Sequence, residues 1–238
     1  MERSTTNSEN SFRAITTRNF LPFRVIGEPF SQIKIQESNL IDELMLVHRY
    51  MGKFDSQFLD LVFEISKILS TPLTVGGAVA SINDAKSLFD RGADKIVIGR
   101  NRDKQSLLSQ IVDEYGKQSL VISVDYQPDD LLSGVDDFMR RESLKGYFNF
   151  AGEVSINNIS LDGSRQGVDL KLINFFNKVT DVPLVVGSGA GSTSQIAECF
   201  KKGADAVTLG TFLSQTDQSI KQIRSHLNSL GIHIRIDN

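Results

Sequence analysis

Cysteine is almost missing from this chain of 238 residues: Cys199 stands alone, so no intrachain disulfide can form and no cysteine cluster can hold zinc. A small buried apolar role suits such a residue. Histidine is scarce too, and His48, His226 and His233 stand apart with no metal-ligand spacing, so neither a metal nor another cofactor is expected. No apolar run is long enough to span a bilayer, and the opening stretch MERSTTNSENS lacks the apolar core of a signal peptide. Residues 1–12 therefore read as a flexible tail, and 13–238 as one domain of a cytoplasmic protein without a membrane partner. An excess of charge of one sign is also lacking. Lys and Arg number 26 against 29 Asp and Glu, and the basic residues are scattered, which leaves no footprint for neutralising a nucleic-acid backbone.

What is present is an ordinary globular composition, 40% hydrophobic and 23% charged, on a length close to that of an eightfold βα barrel. Short β-rich runs alternate with stretches of helical period. Eight strand candidates begin near Arg13, Glu43, Pro72, Asp94, Ser119, Glu153, Pro183 and Asp205. The helical stretches include FDSQFLDLVFEISKIL, SINDAKSLFDRG, KQSLLSQIVDEYG, VDLKLINFFNKV, STSQIAECFKKG and QSIKQIRSHLNSLG, several closing on a glycine as a C-cap does.

An internal repeat organises these elements. PLTVGGAVASINDAKSLFDRGADKIVIGR lies over PLVVGSGAGSTSQIAECFKKGADAVTLGT without a gap, Pro72 falling on Pro183 (183 − 72 = 111). Glu43 pairs with Glu153 and Asn19 with Asp125, so each half supplies four strands. Two long copies do not make a solenoid, which needs several short ones. The expected fold is an α/β (β/α)8 TIM barrel built from two homologous half-barrels, with an open doubly wound sheet as the competing arrangement.

Glycine-rich turns follow the strands: Gly76-Gly77 after the third, Ser188-Gly189 after the seventh, Gly210-Thr211 after the eighth, with Asp162-Gly163 after the sixth. Glycine lets the backbone approach a ligand and a following helix N-terminus offers N–H groups, which together suit phosphate. The repeat then implies a second anion site at Gly76, Gly77, Gly99 and Arg100, and a substrate with two anionic groups. Asp125, at the end of the fifth strand, is the candidate general acid or base. Its counterpart Asn19 cannot transfer a proton in that way. Arg13, Glu43, Lys95 and Glu153 gather instead at the opposite, N-terminal strand ends, where two acids and two bases can form a ring of ion pairs.

TPLTVGGAV, RGADKIVIGRN, VISVDY, SLDGSRQGVD, VPLVVGSGAGS and KGADAVTLGTF, in this order, resemble the cyclase subunit of imidazole glycerol phosphate synthase. The resemblance implies a (β/α)8 fold, a bis-phosphorylated substrate and a glutaminase partner on the N-terminal barrel face whose ammonia passes to the active site. It implies a catalytic role for Asp125 and phosphate contacts at Asp162, Gly163, Gly189, Gly210 and Thr211, with Gly76 and Gly77 in the other phosphate site. Arg13, Glu43, Lys95 and Glu153 match the ring that gates ammonia. The departures gather at the mouth: Asn19 replaces a catalytic aspartate, the segment from there to Glu43 is short, and Gly99 and Arg100 replace small polar residues. The expected function is thus a divergent synthase subunit that uses or delivers ammonia to aminate a phosphorylated metabolite, such as a sugar for surface polysaccharide. Two alternatives stay open: a working cyclase of histidine biosynthesis, and a non-catalytic scaffold that activates the glutaminase.

Overall fold

The computed structural model describes residues 2–3, 12–49, 54–77, 79–131, 138 and 144–234. Of the expected tail, Glu2–Arg3 form strand β1, paired antiparallel with β2 (Phe12–Arg18), while residues 4–11 lie outside the described residues. The other strands are β3 (Leu21–Gly27), β4 (Leu44–Val47), β5 (Leu73–Gly76), β6 (Lys95–Ile98), β7 (Leu120–Tyr126), β8 (Glu153–Asn158), β9 (Leu184–Gly187) and β10 (Ala206–Val207). The helices are α1 (Pro29–Ser38), α2 (Ser56–Ser66), α3 (Ile82–Phe89), α4 (Gln105–Tyr115), α5 (Leu144–Phe148), α6 (Leu170–Val179), α7 (Thr193–Lys201), α8 (Thr211–Ser214) and α9 (Ile220–Ser229). Every one of the eight expected strands is found, parallel from β4 onward and alternating with helices, the succession of the (β/α)8 class.

The chain divides into two compact units. Residues 1–15 and 24–122 form the first, residues 16–23 and 123–238 the second. In the first, β4, β5, β6 and the start of β7 pair in sequence order, with Leu44 opposite Leu73 and Ile96 opposite Leu120. In the second, β8, β9 and β10 follow β7 in the same way. β5 and β9 are buried along their whole length, and β9 accordingly reads as an unbroken apolar run rather than an alternating one. α2 turns Phe58, Leu61, Val62 and Ile65 inward, and α6 does the same with Leu172, Ile173 and Phe176. Burying each such side chain contributes about 1.5–3 kcal/mol.

The repeat extends to individual hydrogen bonds. Asp94 Oδ2 accepts from the Leu73 N–H at 2.8 Å, and Asp205 Oδ2 accepts from the Leu184 N–H at the same distance. Gly92 and Gly203 end their helices at φ 90° and 94°, a left-handed conformation that favours glycine. Ser81 caps α3 by accepting from the Asp84 N–H, and Ser192 caps α7 by accepting from the Gln195 N–H. Ser81→Ala and Ser192→Ala are each expected to cost about 1 kcal/mol, and nearly the same amount, in urea unfolding.

Several elements go beyond the sequence reading, β3 and α1 among them. β3 forms a hairpin with β2 whose two-residue turn is Asn19 and Phe20, both at positive φ, 52° and 59°. α1 starts at Pro29 with Glu28 as its N-cap, the carboxylate accepting from the Phe30 and Ser31 N–H groups. Cys199 is fully buried on α7, its Sγ donating to the Gln195 carbonyl, and burial together with the charge of Glu198 pushes the thiol up to about 11. At pH 8 only about one thiol in a thousand is then ionised. A thiol reagent is expected to leave the native chain untouched and to titrate one thiol after denaturation.

Candidate active site

Asp125 is the next-to-last residue of β7, and its alternation places it on the same strand face as Ser123. Its Oδ1 accepts from Ser123 Oγ at 2.8 Å and from Asn157 Nδ2 at 3.0 Å. Asn157, on β8, also reaches Ser123 Oγ at 3.2 Å and Ser155 Oγ at 3.3 Å. Its Oδ1 lies 2.2 Å from where a Cβ on Gly187 would be, so the neighbouring strand β9 needs glycine there. Both bonds to Asp125 fall on one oxygen, Oδ1. Sequence reasoning singled out Asp125 but missed Ser123, Ser155 and Asn157. The signal was there: polar residues at alternate positions of otherwise apolar strands mark one shared face.

Asp125 is followed by Tyr126, which is 2% exposed and donates from its hydroxyl to Asp169 Oδ2 at 3.2 Å. Burial, and then the Asp169 charge, push this phenol far above the ordinary tyrosine range. It stays neutral, and the bond fixes the end of β7 to the N-cap of α6.

Asn19 sits in the hairpin turn, just beyond β2. Its backbone N–H donates to the Asp162 carbonyl at 3.2 Å, and the Phe20 N–H donates to Asp162 Oδ2 at 2.9 Å. The second unit thus joins Asn19 to Asp162, the carboxylate serving as anchor for a turn in which a phenylalanine has positive φ. Gly163 seals the junction: at φ 68°, a Cβ there would lie 2.1 Å from the Thr17 carbonyl oxygen.

The other expected phosphate residues of this unit fall in two groups. Gly189, at φ 90°, packs against the Gly167 carbonyl, and the Gly167 N–H returns a 2.8 Å bond to the Gly189 carbonyl. Ser188 precedes it at φ 68°. Gly210 differs, with nothing within 4 Å of the place a Cβ would take, and it begins α8 without a side-chain cap. Thr211 is the first residue of that helix. Gly189 is therefore closely packed, whereas the space over Gly210 is open.

In the first unit, Gly76 is pressed against Val97 and Gly77 against the His48 carbonyl, at φ 135°. Gly99 accepts from the Arg102 guanidinium at 2.9 Å, and Arg100 is exposed in the same turn. At the other ends of the strands, Lys95 Nζ meets Glu43 Oε2 at 2.6 Å, both side chains largely buried at 19% and 28% exposure. Thr74 Oγ1 donates to the other oxygen of Glu43. Arg13 is exposed near the start of β2, and Glu153 opens β8 in the second unit. Among the described residues no three His, Cys, Asp or Glu converge as metal ligands, and no helix is long and apolar enough to cross a membrane.

A family model described as "Histidine biosynthesis protein" matches residues 9–220. A protein of Prochlorococcus marinus (strain MIT 9313), provisionally named imidazole glycerol phosphate synthase subunit hisF2, is 37% identical over 236 residues, covering 94% of this chain and 90% of its own length. The imidazole glycerol phosphate synthase subunit HisF of Dictyoglomus turgidum (strain DSM 6724 / Z-1310) is 28% identical over 241 residues, with 94% of each chain covered. That of Pyrococcus furiosus (strain ATCC 43587 / DSM 3638 / JCM 8422 / Vc1) is 26% identical with the same coverage. A match along most of the chain means that this protein belongs to the histidine-biosynthesis family of (β/α)8 proteins, as a relative of its HisF subunits.

Proposed function

We propose that this chain is the synthase-type subunit of a glutamine amidotransferase, taking ammonia from a glutaminase docked at the N-terminal ends of its strands and using or delivering it to aminate a phosphorylated metabolite. The observation that carries this reading is the Lys95–Glu43 pair. Two opposite charges held largely out of solvent, with Thr74 completing the shell of Glu43, are costly to desolvate and gain little for stability over apolar residues. Their presence at the N-terminal strand ends suits control of what enters there, with Arg13 near the same end of β2 and Glu153 at the start of β8.

At the other strand ends ammonia adds to a carbonyl carbon of the acceptor, the C=O π pair moving onto the carbonyl oxygen, which takes a proton from solvent, and Asp125 receives the proton that the attacking nitrogen sheds, through the oxygen that Ser123 and Asn157 leave unused. Gly210 and Thr211 take a phosphate of the acceptor, Ser188 and Gly189 shape the adjoining turn, and Gly76, Gly77, Gly99 and Arg100 take the second anion. Asn19 stands in the hairpin turn without an acid/base group of its own, which favours an acceptor other than the histidine-pathway substrate, such as a phosphorylated sugar for surface polysaccharide. The Asp125 network also favours a second reading, a working cyclase of histidine biosynthesis.

The test compares two nitrogen sources in the complex with the glutaminase. Lys95→Ala is expected to lower glutamine-driven amination at least about tenfold while ammonium-driven amination persists. Equal glutamine-driven amination in the variant would end the ammonia-delivery reading. Ammonium-driven conversion of the bis-phosphorylated histidine-pathway substrate by the purified chain would replace the sugar acceptor with the cyclase reading.

A further inference from the structure

The repeat supplies a control for the polar residues of the second unit. Val47 on β4 stands opposite Gly76 on β5, and Asn157 on β8 stands opposite Gly187 on β9, so positions 47 and 157 are equivalent. Two residues earlier on the same strand face, Met45 answers to Ser155. The first unit therefore builds its parallel ladder with apolar side chains where the second has an amide and a hydroxyl. A strand accepts either kind, and β-branched valine is the better strand former, so the fold by itself does not call for asparagine at position 157.

The room over each glycine is also used differently. A Cβ on Gly76 would lie 2.1 Å from Val97 Cγ1, so in the first unit the following strand fills the space. Thr208 answers to Val97 in the repeat (208 − 97 = 111), yet its Cβ stands 3.8 Å from the Cβ position of Gly187, and Asn157 Oδ1, at 2.2 Å, fills the space instead. With its oxygen against β9, the amide nitrogen of Asn157 faces β7. There it donates to Asp125 Oδ1 at 3.0 Å and to Ser123 Oγ at 3.2 Å. The Ser123 hydroxyl gives its one proton to Asp125, so the group that reaches its oxygen from β8 has to be a donor, which sets the nitrogen rather than the oxygen of the amide on this side. Ser123 lies on the same strand as Asp125, whereas Asn157 comes from the neighbouring one and ties the carboxylate to a second element.

We propose that Asn157 is a positioning residue for Asp125: its amide holds the carboxylate in one rotamer at the end of β7, a task that Val47, its counterpart in the first unit, does not have. The proposal rests on the reading above, in which Asp125 takes the proton shed by the attacking nitrogen, and adds what keeps that carboxylate aimed. A proton acceptor works only within hydrogen-bond reach of the proton it takes, and side-chain rotamers are locked by the hydrogen bonds of the residues behind them. Asn157 acts through Asp125 and needs no contact with the acceptor.

Asn157→Val gives the second unit the residue that the first carries. Its effect is read as ammonium-driven turnover in the complex with the glutaminase, with a ketose phosphate and the bis-phosphorylated histidine-pathway substrate as the two probes. The kcat is expected to fall at least about tenfold, with KM within about twofold of the parent. The melting temperature should stay within about 4 °C, because valine already stands opposite a glycine in the first unit. Asn157→Ala, which removes the amide without adding bulk, should give the same split between kcat and KM. On an Asp125→Asn background the loss from Asn157→Val should shrink to less than about twofold, since a residue that acts through Asp125 has nothing left to act on. In crystals of Asn157→Val the Asp125 carboxylate should take more than one rotamer while β7 and β8 keep their places. Parent-like kcat in both variants, or an equal loss on the Asp125→Asn background, would overturn the positioning role and leave the acceptor reading standing. A parent chain that converts neither probe would count against the acceptor reading instead. The crystals would then decide the positioning role by themselves, a single Asp125 rotamer overturning it and a spread of rotamers upholding it.

Discussion

Asp125→Asn is expected to reduce ammonium-driven amination about 10²- to 10⁴-fold, the range associated with removing one general acid or base. The substitution is well suited to isolate proton transfer. An asparagine at this position can accept from Ser123 Oγ and Asn157 Nδ2 through its own Oδ1, as the carboxylate does, so the positions of β7 and β8 should not change. What changes is the outward atom, from a carboxylate oxygen that takes a proton to an amide nitrogen that cannot. Melting temperature and substrate affinity should therefore stay near those of the parent while turnover falls. A variant with unaltered turnover would remove Asp125 from the chemistry. It would favour the scaffold alternative, in which the chain's effect on the glutaminase survives any change at the strand ends.

The same residue shows what could be read without coordinates. Asp125 stood out because a carboxylate ends an apolar strand, and the alternation of β-rich and helical stretches placed all the strands from Phe12 to Val207 except β3. Local chemistry was legible because it is written in spacing. The Lys95–Glu43 contact was foreseen as part of a ring from strand-start positions alone, and the structure gives that pair a distance and a degree of burial. The hairpin was not legible. Phe20 is a poor residue for a positive φ, and the Asp162 carboxylate, 142 positions along the chain, helps to hold the turn in place. α1 escaped notice because its exposed and apolar residues, such as Ile35, do not follow a helical stripe. Arg165 reads as an ordinary loop arginine until its Nε is seen shut off from solvent without a hydrogen-bond partner.

Two glycines that look alike in the sequence should behave differently, and Gly189→Ala is expected to be the more damaging to the fold. At φ 90° any L-residue is strained by about 1–2 kcal/mol. The added Cβ would also sit 2.1 Å from the Gly167 carbonyl oxygen and 3.1 Å from Leu161 Cβ, so the loop after β8 must shift and the Gly167–Gly189 bond must lengthen. Together these should cost about 3 kcal/mol, seen as a melting temperature lower by about 6–12 °C. Gly210→Ala meets nothing within 4 Å at φ −116°, and its effect on stability should stay within about 0.5 kcal/mol. The open space over Gly210 has a reason if a phosphate occupies it, and the methyl group would then displace the ligand rather than the protein. Phosphate affinity should fall about tenfold or more in Gly210→Ala at unchanged stability. Equal affinity in parent and variant would mean that no ligand approaches the start of α8, and the glycine there would belong to the turn alone.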